Sequence, residues 1–309
     1  MADVSAERLN NLQGRLALIL GNGAGQNGYG QELVSYQVSK IDGSVIQAAD
    51  INSMYADMVK ARIHQIGTSP TEIAEIIANL NVIAEETSFT VGEDGISLVD
   101  PDGALKGILD YERLMTQIEL DKFLAHSSQV TLESGIQSTR TSQWNGIVTH
   151  EFTVNFTDAN HRRHFFNAGG TIRITGSNSS AIGDKGKDWN LLLIETGGVT
   201  FNHSSTFPGS TGTGSAIGNY QLTTSYQEIY RKIGGGTYSG VYAGNIYTIE
   251  ARAPDTNSIQ FRVRLNDIVT DPIIDNNVDG RLISTVQHVR ANSSSVSVAA
   301  PTYTNNTTL

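Results

Sequence analysis

The chain has 309 residues, 39% hydrophobic and 17% charged, with 31 glycines, 6 prolines and no cysteine. That length accommodates two ordinary domains, and a chain without cysteine is neither a disulfide scaffold, nor a cysteine-ligated zinc module, nor a thiol enzyme. A formal net charge of −10 disfavours a broad cationic face for nucleic acid; the start, with Asp3 and no basic region, is unlike a secretory signal, and no run approaches the roughly 20 apolar residues of a membrane span.

The charge is unevenly placed. Residues 1–126 hold 18 acidic and 8 basic residues, whereas 127–309 hold 13 of each. Such asymmetry marks two differently built parts. In the first, Ser5 can cap a segment in which Leu9, Leu12, Leu16 and Ile19 recur at helical steps up to Gly21. Ile51, Met54, Tyr55, Met58, Val59 and Ile63 form a second stripe, with Asp50 as cap and Gly67 as stop. Ser69-Pro70-Thr71-Glu72 has the form of a capping box ahead of Ile73, Ile76, Ile77, Leu80 and Ala84. After a Gly/Asp loop over 92–103, Tyr111, Leu114, Met115 and Ile118 mark a fourth helix.

From about residue 127 the period becomes two. Phe152, Val154 and Phe156 alternate with polar residues, as do Ile172 and Ile174, then Tyr247, Ile249 and Ala251, then Ile259, Phe261, Val263 and Leu265. The run Leu191 to Ile194 suits a strand buried on both faces. Gly-, Asn- and Ser-rich punctuation covers 176–186, 204–218, 234–236 and 275–280. The expected fold is α+β: short N-terminal helices over 1–126, then an antiparallel, jelly-roll-like β-sandwich over 127–309.

Motifs are few. Gly23 to Gly28 matches G-x-G-x-x-G but follows a helix and precedes none, so it reads as a glycine loop. Gly209 to Gly214 has P-loop spacing, yet Ser215 and Ala216 stand where Lys and Ser/Thr are needed. Asp275, Asn277 and Asp279 ahead of Gly280 resemble half a calcium loop whose twelfth position is Val286; an Asx-rich turn is favoured, with calcium as the alternative. His161-Arg162-Arg163-His164 is the one dense basic cluster, read as surface residues or an interface presenting Arg to a carboxylate. Trp144 and Trp189 are read as sandwich aromatics, with sugar stacking as the rival. No catalytic constellation or cofactor motif is legible, and acids such as Asp184, Asp188 and Glu195 read as surface groups.

Several phrases resemble a known group. NHRRHFFNAGGTIRIT (160–175) looks like the HFFNxGGxIR stretch in β domains of virion structural proteins of T4-like myoviruses, especially those infecting cyanobacteria. GQNGYGQELVSYQVS (25–39), Ile51 to Met54, Lys60 to Thr68, and DNNVDGRLISTV (275–286) resemble the same group, in order along the chain. The resemblance implies a non-enzymatic particle component of the tail, neck or fibre apparatus, assembled in the host cytoplasm. It implies an acidic helical attachment region, a β domain, and no catalytic residues or cofactor.

The expected partners are other copies, as a trimer or hexamer, and other virion proteins; neither nucleic acid nor membrane insertion is expected. Leu12, Leu16, Met54 and Ile63, on short helices that bury little alone, are the expected assembly residues. The alternatives are a host receptor- or glycan-binding module whose loops around Trp189, Phe207 and Tyr238 meet the host surface, a capsid decoration or head fibre protein, and a tail depolymerase acting through paired carboxylates.

Overall fold

The computed structural model describes residues 6–37, 46–71, 73, 108–234, 242–268 and 277–309. The chain forms two compact units: residues 1–131 with 291–298, and 132–290 with 299–309. Outside the described residues lie the Ser5 cap, the third expected helix beyond Thr71 except Ile73, the 92–103 loop, Tyr238 and Asp275.

The first unit is built on α1 (Ala6–Leu20), α2 (Ala48–Ile66) and α3 (Ile108–Leu120). Leu9, Leu12 and Leu16 of α1, Met54 and Met58 of α2, and Tyr111 and Met115 of α3 are all buried. Arg8 grips Glu112 with two hydrogen bonds of 3.0 and 2.8 Å, and Arg15 grips Glu119 with two of 2.9 and 2.8 Å. Both pairs share one sequence offset, so α1 and α3 run parallel, with charges at heptad spacing flanking the apolar seam. α2 begins at Gln47, not Asp50; the Asp50 carboxylate sits one turn in and accepts from the Gln47 N–H at 2.8 Å. It ends at Gly67, whose φ of 83° needs no Cβ.

The glycine loop after α1 is a built connector. The N–H groups of Tyr29, Gly30 and Gln31 return to the carbonyls of Ile19, Gly21 and Leu20. Gly23 and Gly28, both at positive φ, pack so close to backbone that a side chain would collide.

The second unit is a two-sheet sandwich. One sheet has the order β1 (Val130–Arg140), β9 (Arg281–Ala291), β3 (Thr171–Ser179), β4 (Val199–Phe201), β5 (Thr206–Pro208). The other runs β10 (Thr302–Thr307), β2 (Gly146–Asn155), β8 (Ser258–Asp267), β7 (Ile246–Arg252), β6 (Gln227–Ile233). The pairs β1–β9 and β2–β8 nest as in a jelly roll, while the inner strands form local hairpins. Phe201 meets Phe261 across the sheets, edge to face at 5.2 Å, and Phe261 stacks on Phe152 at 5.2 Å. Aromatic rings thereby carry the core from one layer to the other.

Two helices interrupt the strands, α4 (Ala159–Asn167) and α5 (Asp184–Thr196). The sequence reading had neither. Leu191 to Ile194 is helical, with Ile194 exposed; Gly197 closes the helix at φ 70°. The basic cluster lies on a helix capped by Asp158. Buried Arg162 binds the side chain of Asn219 and the carbonyls of Asp255 and Ser258 rather than facing solvent or a partner.

Both lateral openings of the sandwich are fastened. On one side Ser215 bridges to Thr206 of β5 and Thr213 to Arg231 of β6. On the other, Asn305 of β10 donates to the Gln137 carbonyl of β1 at 3.4 Å, and the Leu309 N–H donates to Ser138 Oγ at 2.8 Å. Strand edges left open invite pairing with foreign chains, and these links cover part of them.

Candidate functional site

Three places in the second unit gather charged or hydrogen-bonding side chains. The first is an interior cluster. Lys185, in the first turn of α5, and Asp267, the last residue of β8, meet at 2.7 Å, with neither side chain exposed. The Asn245 amide, just before β7, donates to Asp267 Oδ1 at 3.1 Å and accepts from Trp189 Nε1 at 3.1 Å. Trp189 itself packs on Trp144, ring centroids 5.3 Å apart. One turn beyond Lys185, Asp188 is fully buried, and neither carboxylate oxygen has a hydrogen-bond partner. Burial, reinforced by the Glu195 carboxylate, pushes its pKa up to about 6. Reading Asp188 as a surface acid was therefore wrong: it occupies a core position of α5.

The second is a polar layer inside the sandwich. His150 Nε2 lies 2.8 Å from Asn305 Oδ1, and its Nδ1 lies 2.9 Å from Ser284 Oγ. Because the Asn305 amide nitrogen is engaged with the Gln137 carbonyl, its oxygen faces the ring. The neutral imidazole then donates through Nε2 and accepts the Ser284 hydroxyl. Burial lowers the His150 pKa. Alongside, Arg290 holds Glu133 in a forked ion pair, closest approach 2.7 Å, and His288 Nε2 reaches the same carboxylate at 3.1 Å. Arg290 lowers the Glu133 pKa, while burial lowers that of His288. These groups bond one strand to another, tying β1, β2, β9 and β10.

The third is a surface groove of about 590 Å³ over β6, lined by Gly212–Ser215 and Glu228–Ile233. Tyr230 anchors its floor, hydroxyl 3.0 Å from Thr196 Oγ1 and donating to the Thr211 carbonyl at 2.9 Å. Lys232 is neutralised by Glu195 at 2.8 Å, while Arg231 and Glu228 stand at the surface, 3.5 Å apart. The loop with P-loop spacing thus lines a groove, yet its Thr213 N–H is bonded to Arg231 and its Ser215 N–H to Thr206.

The residues expected to act lie elsewhere. Leu12, Leu16 and Met54 have no exposed surface and Ile63 is half-buried, so these stripes fill the helical core rather than offering a docking face. The short helices bury one another along these stripes, and of the four expected assembly residues only Ile63 keeps exposed surface. Of the calcium candidates, Asp279 instead accepts the backbone N–H groups of Ile182 at 2.8 Å and Gly183 at 3.0 Å, fixing the start of α5. Asn277 is described and Asp275 is not, and among the described residues no three His, Asp or Glu converge for a metal. Trp189 is buried and cannot stack on a sugar; Phe207 is half exposed.

Sequence reasoning missed Lys185, Asp188 and Asp267 because each looks like a solvated charge. The available signal was position: Lys185 and Asp188 extend backward the stripe of Trp189, Leu192, Leu193 and Thr196. No family model, no curated protein and no solved structure matches the chain.

Proposed function

We propose that the chain is a non-enzymatic structural component of a tailed-phage virion, in its tail, neck or fibre apparatus, working as a symmetric homo-oligomer alongside other virion proteins. One observation carries this reading: the phrases resembling such proteins fall on positions that hold turns and core. Tyr29, in the first phrase, is buried and donates to the Lys122 carbonyl. Gly67 closes α2; Phe165 and Phe166 are core, and Gly170 fits under Phe165; Asp279 braces the start of α5, and Gly280 packs against Asn178 and Ser179 of β3. None of them lines the groove. The resemblance therefore falls on scaffold positions. The test is antibody labelling of intact particles viewed by negative-stain microscopy: label at one repeated location supports the reading, and unlabelled particles beside labelled free protein contradict it.

The groove favours a second reading, a host receptor- or glycan-binding module. Its half-polar lining and exposed Arg231 and Glu228 suit a hydroxyl-rich ligand better than an apolar one. Adsorption of the full chain to host cells, lost on Arg231→Ala, would support it; equal adsorption of both forms would exclude the groove.

A further inference from the structure

We propose that Lys185 and Asp267 condense into an amide, an intrachain isopeptide bond that links the start of α5 to the end of β8. The two groups are 2.7 Å apart and wholly buried, a placement that leaves water out of their exchange. A buried ion pair recovers little of its desolvation cost unless its surroundings are rich in hydrogen bonds. Here Asp267 is held by the Asn245 amide, which in turn accepts from the Trp189 indole. Holding amine and carboxyl in contact replaces a bimolecular encounter, and the effective molarity of such arrangements offsets the cost of condensation.

The atoms balance without a co-reactant. Proton transfer within the pair gives neutral amine and neutral acid. The Lys185 nitrogen lone pair attacks the Asp267 carboxyl carbon, and the new C–N bond yields a tetrahedral centre. One oxygen then departs as water, taking the carbon–oxygen electron pair, a proton from nitrogen and the acid proton it already carried. The Asn245 amide N–H, 3.1 Å from Asp267 Oδ1, is placed to stabilise charge on the oxygen that stays. The proton from nitrogen passes directly to the leaving oxygen, since the Lys185 nitrogen lies 2.7 Å from Asp267 Oδ2. The product is an uncharged amide where an ion pair stood. It closes a covalent loop between a helix packed on β3 and the central strand of the opposite sheet. Such a loop resists unfolding as a disulfide does, in a chain that has no cysteine to make one.

The inference is independent of where in a particle the protein resides. Its test is the intact mass of the purified full chain, fresh and after warm incubation at neutral pH, compared with the sequence mass after allowance for removal of Met1. The expected value is lower by one water, with a branched tryptic peptide containing both residues and no cleavage after Lys185. Lys185→Met should restore the full sequence mass, and Asp267→Asn should lose ammonia instead of water. A wild-type mass equal to the sequence mass after incubation, with both residues recovered in linear peptides, would overturn the bond.

Discussion

His150 illustrates how a single side chain couples this fold to pH. Its folded-state pKa is lowered below 6.5 by burial, so on acidification the unfolded chain takes up a proton that the native chain refuses. Stability is intact above about pH 7 and declines as pH falls through 6.5, with a slope of up to about 1.4 kcal/mol per pH unit for each such group. His288 acts in the same sense, as do Glu133 and Glu151 at lower pH, where protonation dissolves their pairing with arginine. Asp188, with its pKa raised to about 6, acts oppositely as pH falls through that value. Asp188 overlaps the lower end of the histidine range, so the contribution of His150 is read as the difference between wild type and a His150 variant in thermal unfolding between pH 8 and 6. His150→Gln, which can still bond Ser284 and Asn305, should flatten that dependence, and an unchanged slope would show that His150 does not titrate with unfolding.

Among elements, the parallel pairing of α1 and α3 makes a quantitative claim. The Arg15–Glu119 pair is about one-third exposed, so it is worth under about 1 kcal/mol. Arg15→Glu should destabilise by about that amount in denaturant unfolding, and adding Glu119→Arg should recover most of it. Leu16→Ala, which empties a fully buried site, should cost roughly 2–5 kcal/mol. At the sandwich edge, Thr213→Pro deletes the N–H that bonds the Arg231 carbonyl at 2.8 Å. Exposing β6 in this way should convert the chain to larger species in sedimentation; an unchanged profile would mean that the bridge does not guard the edge. The elements themselves were unequally legible. α1, β7 and β8 show a clean period because one face is uniformly apolar. α5 does not, since Lys185 and Asp188 sit where apolar residues belong, leaving Leu191 to Ile194 to look like a strand. α4 was hidden similarly by buried Arg162.

For the whole molecule, the α+β class was readable because period and composition both change along the chain. The sites were not, because burial of a charge is a property of three-dimensional packing that no spacing reveals. Assembly is the clearest instance. The stripes that looked available are consumed internally, and the apolar side chains exposed on the helical unit include Leu18, Leu124 and Leu120, the last 73% exposed. Leu120→Asp should therefore leave the melting temperature within a degree or two of wild type yet reduce incorporation into particles, read as chain per particle after complementation. Full incorporation would remove Leu120 from any interface.

The structural role itself is most directly tested by quantifying the chain in gradient-purified infectious particles by mass spectrometry against a labelled standard. A virion component should remain through purification at a fixed copy number per particle, a multiple of three or six if tail symmetry sets it. Loss of the chain from purified particles that retain full infectivity would contradict the account.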